Sequence, residues 1–316
     1  MEVIKQFKAL SDPTRLRLVN ILDRYELNVN EIVSVVEMIQ SGVSRHLRIL
    51  LDAGLLTARK DGSYIYYTAA QDHDARAMIE LACRRVADDP LFSADLHRAD
   101  LCLVLRKARA KRFFKTVAPQ WDRLKQEVLG NFDLNGLFEA HLKSRVVASS
   151  MGVRREKDGV VADLGCGTGE MLSRCLDLGL KTLIGVDASP EMLEQARLRL
   201  PERPDLELRL GELENLPMRD REVNAVVMSM VLYHIGEPAK SILEVYRVLS
   251  PGGWFLLADF LQHPNAQIKE IIGGSWLGFT RSQIQAWLSA AGFHLRTLDV
   301  YPVEKELSII FFVAQK

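Results

Sequence analysis

The sequence predicts an α/β protein in which a small helical unit closed by a β-hairpin precedes a larger, doubly wound parallel sheet. Three observations predict it. From Val160 onward, short apolar runs alternate with helical periodicity, the pattern of parallel strands joined by crossover helices. Val160-Val161-Ala162 leads into Asp163-Leu164-Gly165-Cys166-Gly167-Thr168-Gly169, three glycines at alternate positions after a buried strand. Before residue 70, helical patterns give way to two β-rich runs around Asp61-Gly62, a two-residue hairpin signal. The expected domains are 1–69, a helical connection over 70–117, and 118–316.

Length and composition agree with two cores: 316 residues, 48% hydrophobic and 26% charged. A formal net charge of +0 means that any nucleic-acid surface must be a local patch. No apolar run approaches the roughly 18 residues that span a bilayer, and no signal peptide is evident, so a cytoplasmic protein is expected. Cys83, Cys102, Cys166 and Cys175 form no CxxC pair, as for reduced thiols.

In the N-terminal unit, Ser11-Asp12-Pro13 opens a helix carrying Leu16, Leu18, Val19 and Leu22. A second helix is expected over about Val29 to Met38. A third opens at Gln40, with Val43, Leu47, Leu50 and Leu51 inward and Ser44, Arg45 and His46 outward, and stops at Ala53-Gly54. Strands over Thr57 to Lys60 and Ser63 to Thr68 complete a winged helix-turn-helix. The last of its three helices would present Gln40, Ser41, Ser44, Arg45, His46 and Arg48 to base edges, and Arg59, Lys60 and Tyr64 on the wing to phosphates. ALSDPTRLRLVNIL, SGVSRHLRILLDAGLL and DGSYIYY resemble the ArsR/SmtB family of repressors. The resemblance implies a homodimer on a double-stranded DNA operator. The family's ELCVC metal site reads Glu26-Leu27-Asn28-Val29-Asn30 here, and amides are poor ligands for soft metals, so no metal site is expected. Ile39 and Gly42 replace the usual Ser and Thr, which leaves base preference open.

Residues 70 to 116 read as helical with a break at Asp88-Asp89-Pro90, and as dimerisation or linker helices. Arg106 to Arg112 is a basic run expected to be a solvated helix face. Phe113, Phe114 and Trp121 suit a lid or ordinary core, and a further helix is expected over Phe132 to Val147.

The helix after the glycines is expected to end at Gly179, and a second strand to finish on Asp187. An acid about 20 residues beyond a Gly-rich turn is where nucleotide-binding units hold a ribose hydroxyl. The glycines alone suit a nicotinamide or flavin cofactor, or a turn without a ligand. Asp163 before the turn, GxGxG spacing and Arg247-Val248-Leu249-Ser250-Pro251-Gly252-Gly253 before a fifth strand at Trp254 resemble class I methyltransferases. That resemblance implies S-adenosylmethionine (SAM) or S-adenosylhomocysteine (SAH), held by Asp163, Gly165, Cys166, Gly167, Gly169, Asp187, Ala188, Glu212, Leu213 and Ser229. Glu212 would meet the adenine amino group. His234 is the candidate general base.

Two closing strands and a helix capped by Thr280-Arg281-Ser282-Gln283 are expected to end the chain, with Trp276-Leu277-Gly278-Phe279 as a lid loop or apolar patch. No three-cysteine cluster or NPPY motif names an acceptor. The expected function is a DNA-binding regulator with a SAM-binding domain that methylates a small molecule or senses SAM and SAH. The alternative is a small-molecule methyltransferase whose winged unit serves dimerisation or localisation.

Overall fold

A computed structural model of the chain describes residues 2–61, 64–147, 159–178, 180 and 182–316. The expected hairpin tip at Gly62-Ser63 and helix stop at Gly179 lie outside the described residues. The chain divides into two compact units, Met1–Arg106 and Lys107–Lys316.

In the first unit, α1 (Glu2–Leu10), which the sequence reading did not anticipate, precedes α2 (Pro13–Leu22). Asp12 caps α2 by accepting from the Arg15 amide at 2.9 Å, and Pro13 stands where an N–H would have no partner. Between α2 and α3 lies a two-residue strand, β1 (Leu27–Asn28), and α3 (Val29–Val36) starts in a reciprocal capping box. The Asn28 side chain accepts from the Glu31 amide at 3.2 Å, and the Glu31 carboxylate accepts from the Asn28 amide at 2.9 Å. The asparagine at the family's metal position therefore serves as a helix cap.

Next come α4 (Gln40–Asp52) and the hairpin β2 (Leu56–Asp61) and β3 (Tyr64–Ala69), paired Thr57 to Thr68 and Lys60 to Ile65. β1 adds to the far side of β3, giving the order β1-β3-β2. Leu18, Ile21, Ile32, Val35, Val43, Leu47 and Leu50 meet in the core. α5 (His73–Val86) and α6 (Pro90–Val117) follow the expected break, but Ala75, Ile79 and Ala99 join this same core. The stretch predicted as a connection thus packs as part of the N-terminal unit up to Arg106. Asp95 of α6 is fully buried and satisfied twice over. Arg17 forks onto it at 2.7 and 2.8 Å and Arg98 reaches it at 2.5 Å, while the same arginines donate to the last carbonyls of α3, Val36 and Val35. Two cations and complete hydrogen bonding offset the desolvation of this carboxylate.

The second unit is a seven-stranded sheet in the order β6-β5-β4-β7-β8-β10-β9. Its strands are β4 (Val160–Leu164), β5 (Thr182–Asp187), β6 (Leu206–Leu210), β7 (Val223–Ser229), β8 (Leu249–Phe260), β9 (His294–Pro302) and β10 (Ser308–Gln315). The first five are parallel; β10 runs antiparallel to both β8 and β9. The helices α9 (Glu170–Asp177), α10 (Pro190–Arg199), α11 (Pro238–Val248), α12 (Ala266–Ile272) and α13 (Arg281–Ala291) fill the connections, and α7 (Trp121–Leu129) and α8 (Leu134–Leu142) come before β4.

Three expectations need correction. The fifth strand starts at Leu249, not Trp254, because Pro251-Gly252-Gly253 is a bulge within it: Leu249 pairs with Val223 and Trp254 with Ala225. α8 covers only part of Phe132 to Val147 and passes into a π-helical turn over Lys143–Val147. Trp276, Leu277 and Phe279 are not a lid but core, each almost wholly buried, with the Trp276 indole donating to the Ile235 carbonyl at 2.6 Å and the Phe279 amide to the Phe260 carbonyl at 2.9 Å.

Candidate cofactor site and nucleic-acid interface

The turn after β4 is built for close backbone approach. Gly165, Gly167 and Gly169 all take left-handed φ, +75°, +52° and +78°. A Cβ on Gly165 would lie 2.5 Å from the Val231 methyls, so the turn also has no room for a side chain. Gly165 and Cys166 both donate to the Val186 carbonyl, at 2.7 and 3.0 Å, which folds the turn over the end of β5. There the Asp187 carboxylate accepts from the Gly167 amide at 2.9 Å and the Ser189 amide at 2.8 Å. Burial pushes the Asp187 carboxyl upward despite these amides, and pushes Asp163, buried at the end of β4, up to about 7. Ala188 follows Asp187. After β6, Glu212 forms an ion pair with Lys111 at 2.7 Å, and Leu213 beside it is buried.

α7 docks against this turn through two ionic contacts. Asp122 accepts from the Thr168 hydroxyl at 2.7 Å and pairs with Arg199, which also donates to that hydroxyl at 2.8 Å; Lys125 pairs with Glu170. Burial alone would raise the Asp122 carboxyl, but Arg199 and Thr168 outweigh it and hold it below the usual range. Trp121 is thereby placed against the turn, its indole nitrogen 3.6 Å from where a Gly167 Cβ would stand. Phe114 packs edge-on to Trp121, with centroids 5.4 Å apart.

The loop after β7 carries His234 and is fixed from every side. Met230 adopts a left-handed φ of 58°, uncommon for a residue with a side chain. The buried Asp259 carboxylate accepts from the Tyr233 amide at 3.2 Å, and the Ser275 and Trp276 amides donate to the Tyr233 carbonyl at 2.9 and 3.1 Å. His234 Nδ1 lies 3.2 Å from the Gly273 carbonyl, an acceptor, which assigns the proton to Nδ1 and the lone pair to Nε2. Burial pushes the imidazole down to about 3, so it is neutral near pH 7. Nε2 is sealed from solvent and has no hydrogen-bond partner among the described residues; the Ser229 hydroxyl at the end of β7 shares that condition. Buried polar atoms without partners are rare in folded proteins and are a place for a ligand or a water. Together with the glycine cradle and Asp187, they make this chain's residues fit a nucleoside cofactor.

In the first unit, α4 exposes Gln40, Ser41, Ser44, Arg45 and Arg48, as expected. His46 is half-buried, 3.7 Å from Asp12. Lys60 and Tyr64 are exposed on the hairpin. Arg59 is not positioned as expected: its Nε donates to Glu26 at 3.0 Å and its guanidinium lies 5.4 Å from the Tyr66 ring centroid. Arg106, predicted in a solvated run, likewise pairs with Glu31 and stacks on Tyr66. The sequence reading missed Asp122, Arg199 and Asp259; only the placement of Asp259 after an apolar strand hinted at a role.

The comparisons fall on these same two regions. Residues 12–58 match the model of the bacterial regulatory protein, arsR family, and residues 162–257 match that of a methyltransferase domain. The chain thus joins an ArsR-family helix-turn-helix to a methyltransferase domain. The methyltransferase domain is 31% identical over 151 residues to a demethylmenaquinone methyltransferase of Paenarthrobacter aurescens, covering 48% of this chain and 54% of that one. It is 30% identical over 164 residues to an arsenite methyltransferase of Halobacterium salinarum, covering 48% and 40%. The chain therefore spans about half the length, or less, of these curated relatives. Among solved structures, the [4+2]-cyclase SpnF matches with a TM-score of 0.50 at 17% identity, over 65% of this chain and 94% of that one, which shows the fold. None of the described helices is long and apolar enough to cross a membrane.

Proposed function

We propose that the chain is a DNA-binding transcriptional regulator whose methyltransferase domain binds SAM or SAH and methylates a small molecule. The cofactor site carries this reading: a glycine cradle closed on an acid that still has acceptor capacity to offer. A carboxylate has about four acceptor positions, and Asp187 uses three on the backbone amides of Gly167, Ser189 and Ala188, which leaves capacity for a ribose hydroxyl. Gly165, Cys166, Gly167 and Gly169 would pass beneath the amino-acid part of the cofactor, with Asp163 behind them. Glu212 would accept from the adenine amino group beside Leu213, with Ala188 at the ribose and the Ser229 hydroxyl supplying a buried donor or acceptor. Bound SAM supplies a methyl group activated by its sulfonium. The protein contributes orientation and exclusion of water, with His234 on the acceptor side.

The exposed residues of α4, with Lys60 and Tyr64 on the wing, support contact with a duplex operator, as a homodimer by resemblance to ArsR repressors. Arsenite is disfavoured as the acceptor: the four cysteines of the sequence include no cluster of three, and Cys166 and Cys175 are buried. Thermal unfolding with SAM and SAH, paired with footprinting of upstream DNA, tests the proposal. At a hundredfold excess over the dissociation constant, ligand linkage stabilises the fold by about 2.7 kcal/mol. An unmoved melting temperature at millimolar SAM and SAH would remove the cofactor reading, and an unprotected upstream region the regulatory one.

A further inference from the structure

We propose that Asp122 is a positioning residue for the cofactor: through Thr168 and Arg199 it holds the glycine turn in the shape that receives SAM or SAH, so α7 must be docked for either to bind tightly. This rests on the cofactor reading above and adds to it a residue from a helix that precedes the sheet. The three side chains close a ring. The Thr168 hydroxyl donates to Asp122 Oδ1 at 2.7 Å and accepts from Arg199 Nη1 at 2.8 Å, while Arg199 Nη2 pairs with Asp122 Oδ2. With a donor on one side and an acceptor on the other, the hydroxyl has one orientation. Arg199 Nη1 also donates to the Thr168 carbonyl at 3.2 Å, so the ring grips the main chain of the turn as well as its side chain. Thr168 is the one residue of Gly167-Thr168-Gly169 with a side chain to hold, and it is buried between glycines at φ +52° and +78°. Its partners arrive on separate elements, Asp122 near the start of α7 and Arg199 at the end of α10. There α10 already crowds the turn, since a Cβ on Gly169 would lie 2.9 Å from Leu200 Cδ1 and 3.2 Å from the Ala196 Cβ. Lys125 of α7 pairs with Glu170, the residue after Gly169, which ties the same helix to the same turn a second time.

The consequence follows from the energetics of glycine and of exposed ion pairs. Glycine gives up more conformational freedom on ordering than any other residue, so a turn with three of them is costly to fix. A cofactor that had to order the turn would lose affinity by that amount, whereas a turn ordered in advance leaves the binding energy intact. The side chains of Asp122 and Arg199 are 38% and 34% exposed, and an ion pair in that setting contributes little to the stability of a fold. The effect of the ring therefore falls on the turn more than on the fold. Asp187, the proposed ribose acceptor, holds the neighbouring Gly167 amide, so the ring acts one residue away from a group that meets the ligand.

Calorimetric titration of the full chain with SAH, alongside melting temperatures of the unliganded variants, tests this. Thr168→Val deletes the hydroxyl and keeps the shape of the side chain. It should bind SAH about tenfold more weakly, the scale of one hydrogen bond to a charged group, and melt close to the wild type. Thr168→Ser keeps the hydroxyl and should bind SAH nearly as the wild type does. Asp122→Asn should lose about as much affinity as Thr168→Val, and the double variant no more than either, because both break one ring. Arg123→Ala breaks an exposed pair with Glu127 on the same helix and should leave SAH affinity unchanged. Unaltered affinity in Thr168→Val, a loss that Thr168→Ser shares, or additive losses in the double variant would overturn the proposal. A loss in Asp122→Asn without one in Thr168→Val would make Asp122 a direct cofactor contact and overturn the positioning role. Should Thr168→Val fail to fold, Arg199→Gln takes its place in the same cycle, with the same outcomes. A wild type that does not bind SAH would instead overturn the cofactor reading on which the proposal rests.

Discussion

Asp187 shapes the cofactor turn before any ligand arrives, because the Gly167 amide it accepts belongs to the cradle itself. Asp187→Ala should therefore weaken SAM binding about ten- to hundredfold, the range for hydrogen bonds to a charged group, as measured by calorimetry. Asp187→Asn keeps one acceptor and should lose less. A second buried acid gives a pH signature. Asp259 is pushed up to about 7 from an ordinary value of 3.8, chiefly by burial. Between those values the unfolded chain has released its proton and the folded chain retains it, so stability falls as pH rises through the window and levels above it. Thermal melts from pH 5 to 8 should show that fall. Asp259→Asn should flatten it in part, since Asp163 has the same shift and remains. A slope unchanged by the substitution would reassign the buried proton.

At the scale of elements, the proposed operator contact would divide between α4 and the wing. Arg45 is exposed on α4, so Arg45→Ala should cost about 1–3 kcal/mol on the preferred operator if it reads a guanine, and little on random DNA. Lys60→Ala should weaken all sequences alike and flatten the salt dependence. Arg59→Ala should act on folding instead, since its guanidinium pairs with Glu26 and lies over Tyr66. Salt-dependent gel-shift and melting measurements on the three variants separate these outcomes. Much of this scaffold was legible in sequence because its signals are local. Capping residues placed α2 and α13, alternate glycines marked the β4 turn, and apolar runs marked the parallel strands. What was not legible depends on long-range partners. Arg59 and Arg106 read as surface cations because nothing near them in sequence shows Glu26, Glu31 and Tyr66 converging. Trp276 to Phe279 looked like a lid because an apolar loop has no period to show that it fills a core. The role of Asp122 depends on Thr168 and Arg199, 46 and 77 residues away.

For the whole molecule the question is whether cofactor occupancy changes DNA affinity. α6 motivates the expectation that it does, since its residues serve both units. Asp95, Arg98 and Arg106 bond to α2 and α3 in the first, while Lys111 pairs with Glu212 and Phe114 packs against Trp121 and His234 in the second. If Glu212 meets the nucleoside as proposed, the nucleoside would compete with Lys111, a residue of the helix whose earlier turns pack in the helix-turn-helix unit. Coupling free energies between sites typically run about 1–3 kcal/mol, which predicts a 5- to 150-fold change in operator affinity between the free and the SAM- or SAH-bound protein. Linkage makes the effect reciprocal: operator DNA must change cofactor affinity by the same factor. Titrating SAH with and without operator therefore checks the operator measurement independently. Lys111→Ala adds a local test, because removing the Glu212 partner should shrink the coupling while leaving the arginine contacts to α2 and α3 in place. Equal SAH affinities in the two titrations would mean that the units act separately, and the winged unit would then serve only to place a methyltransferase on DNA or to pair two copies of it.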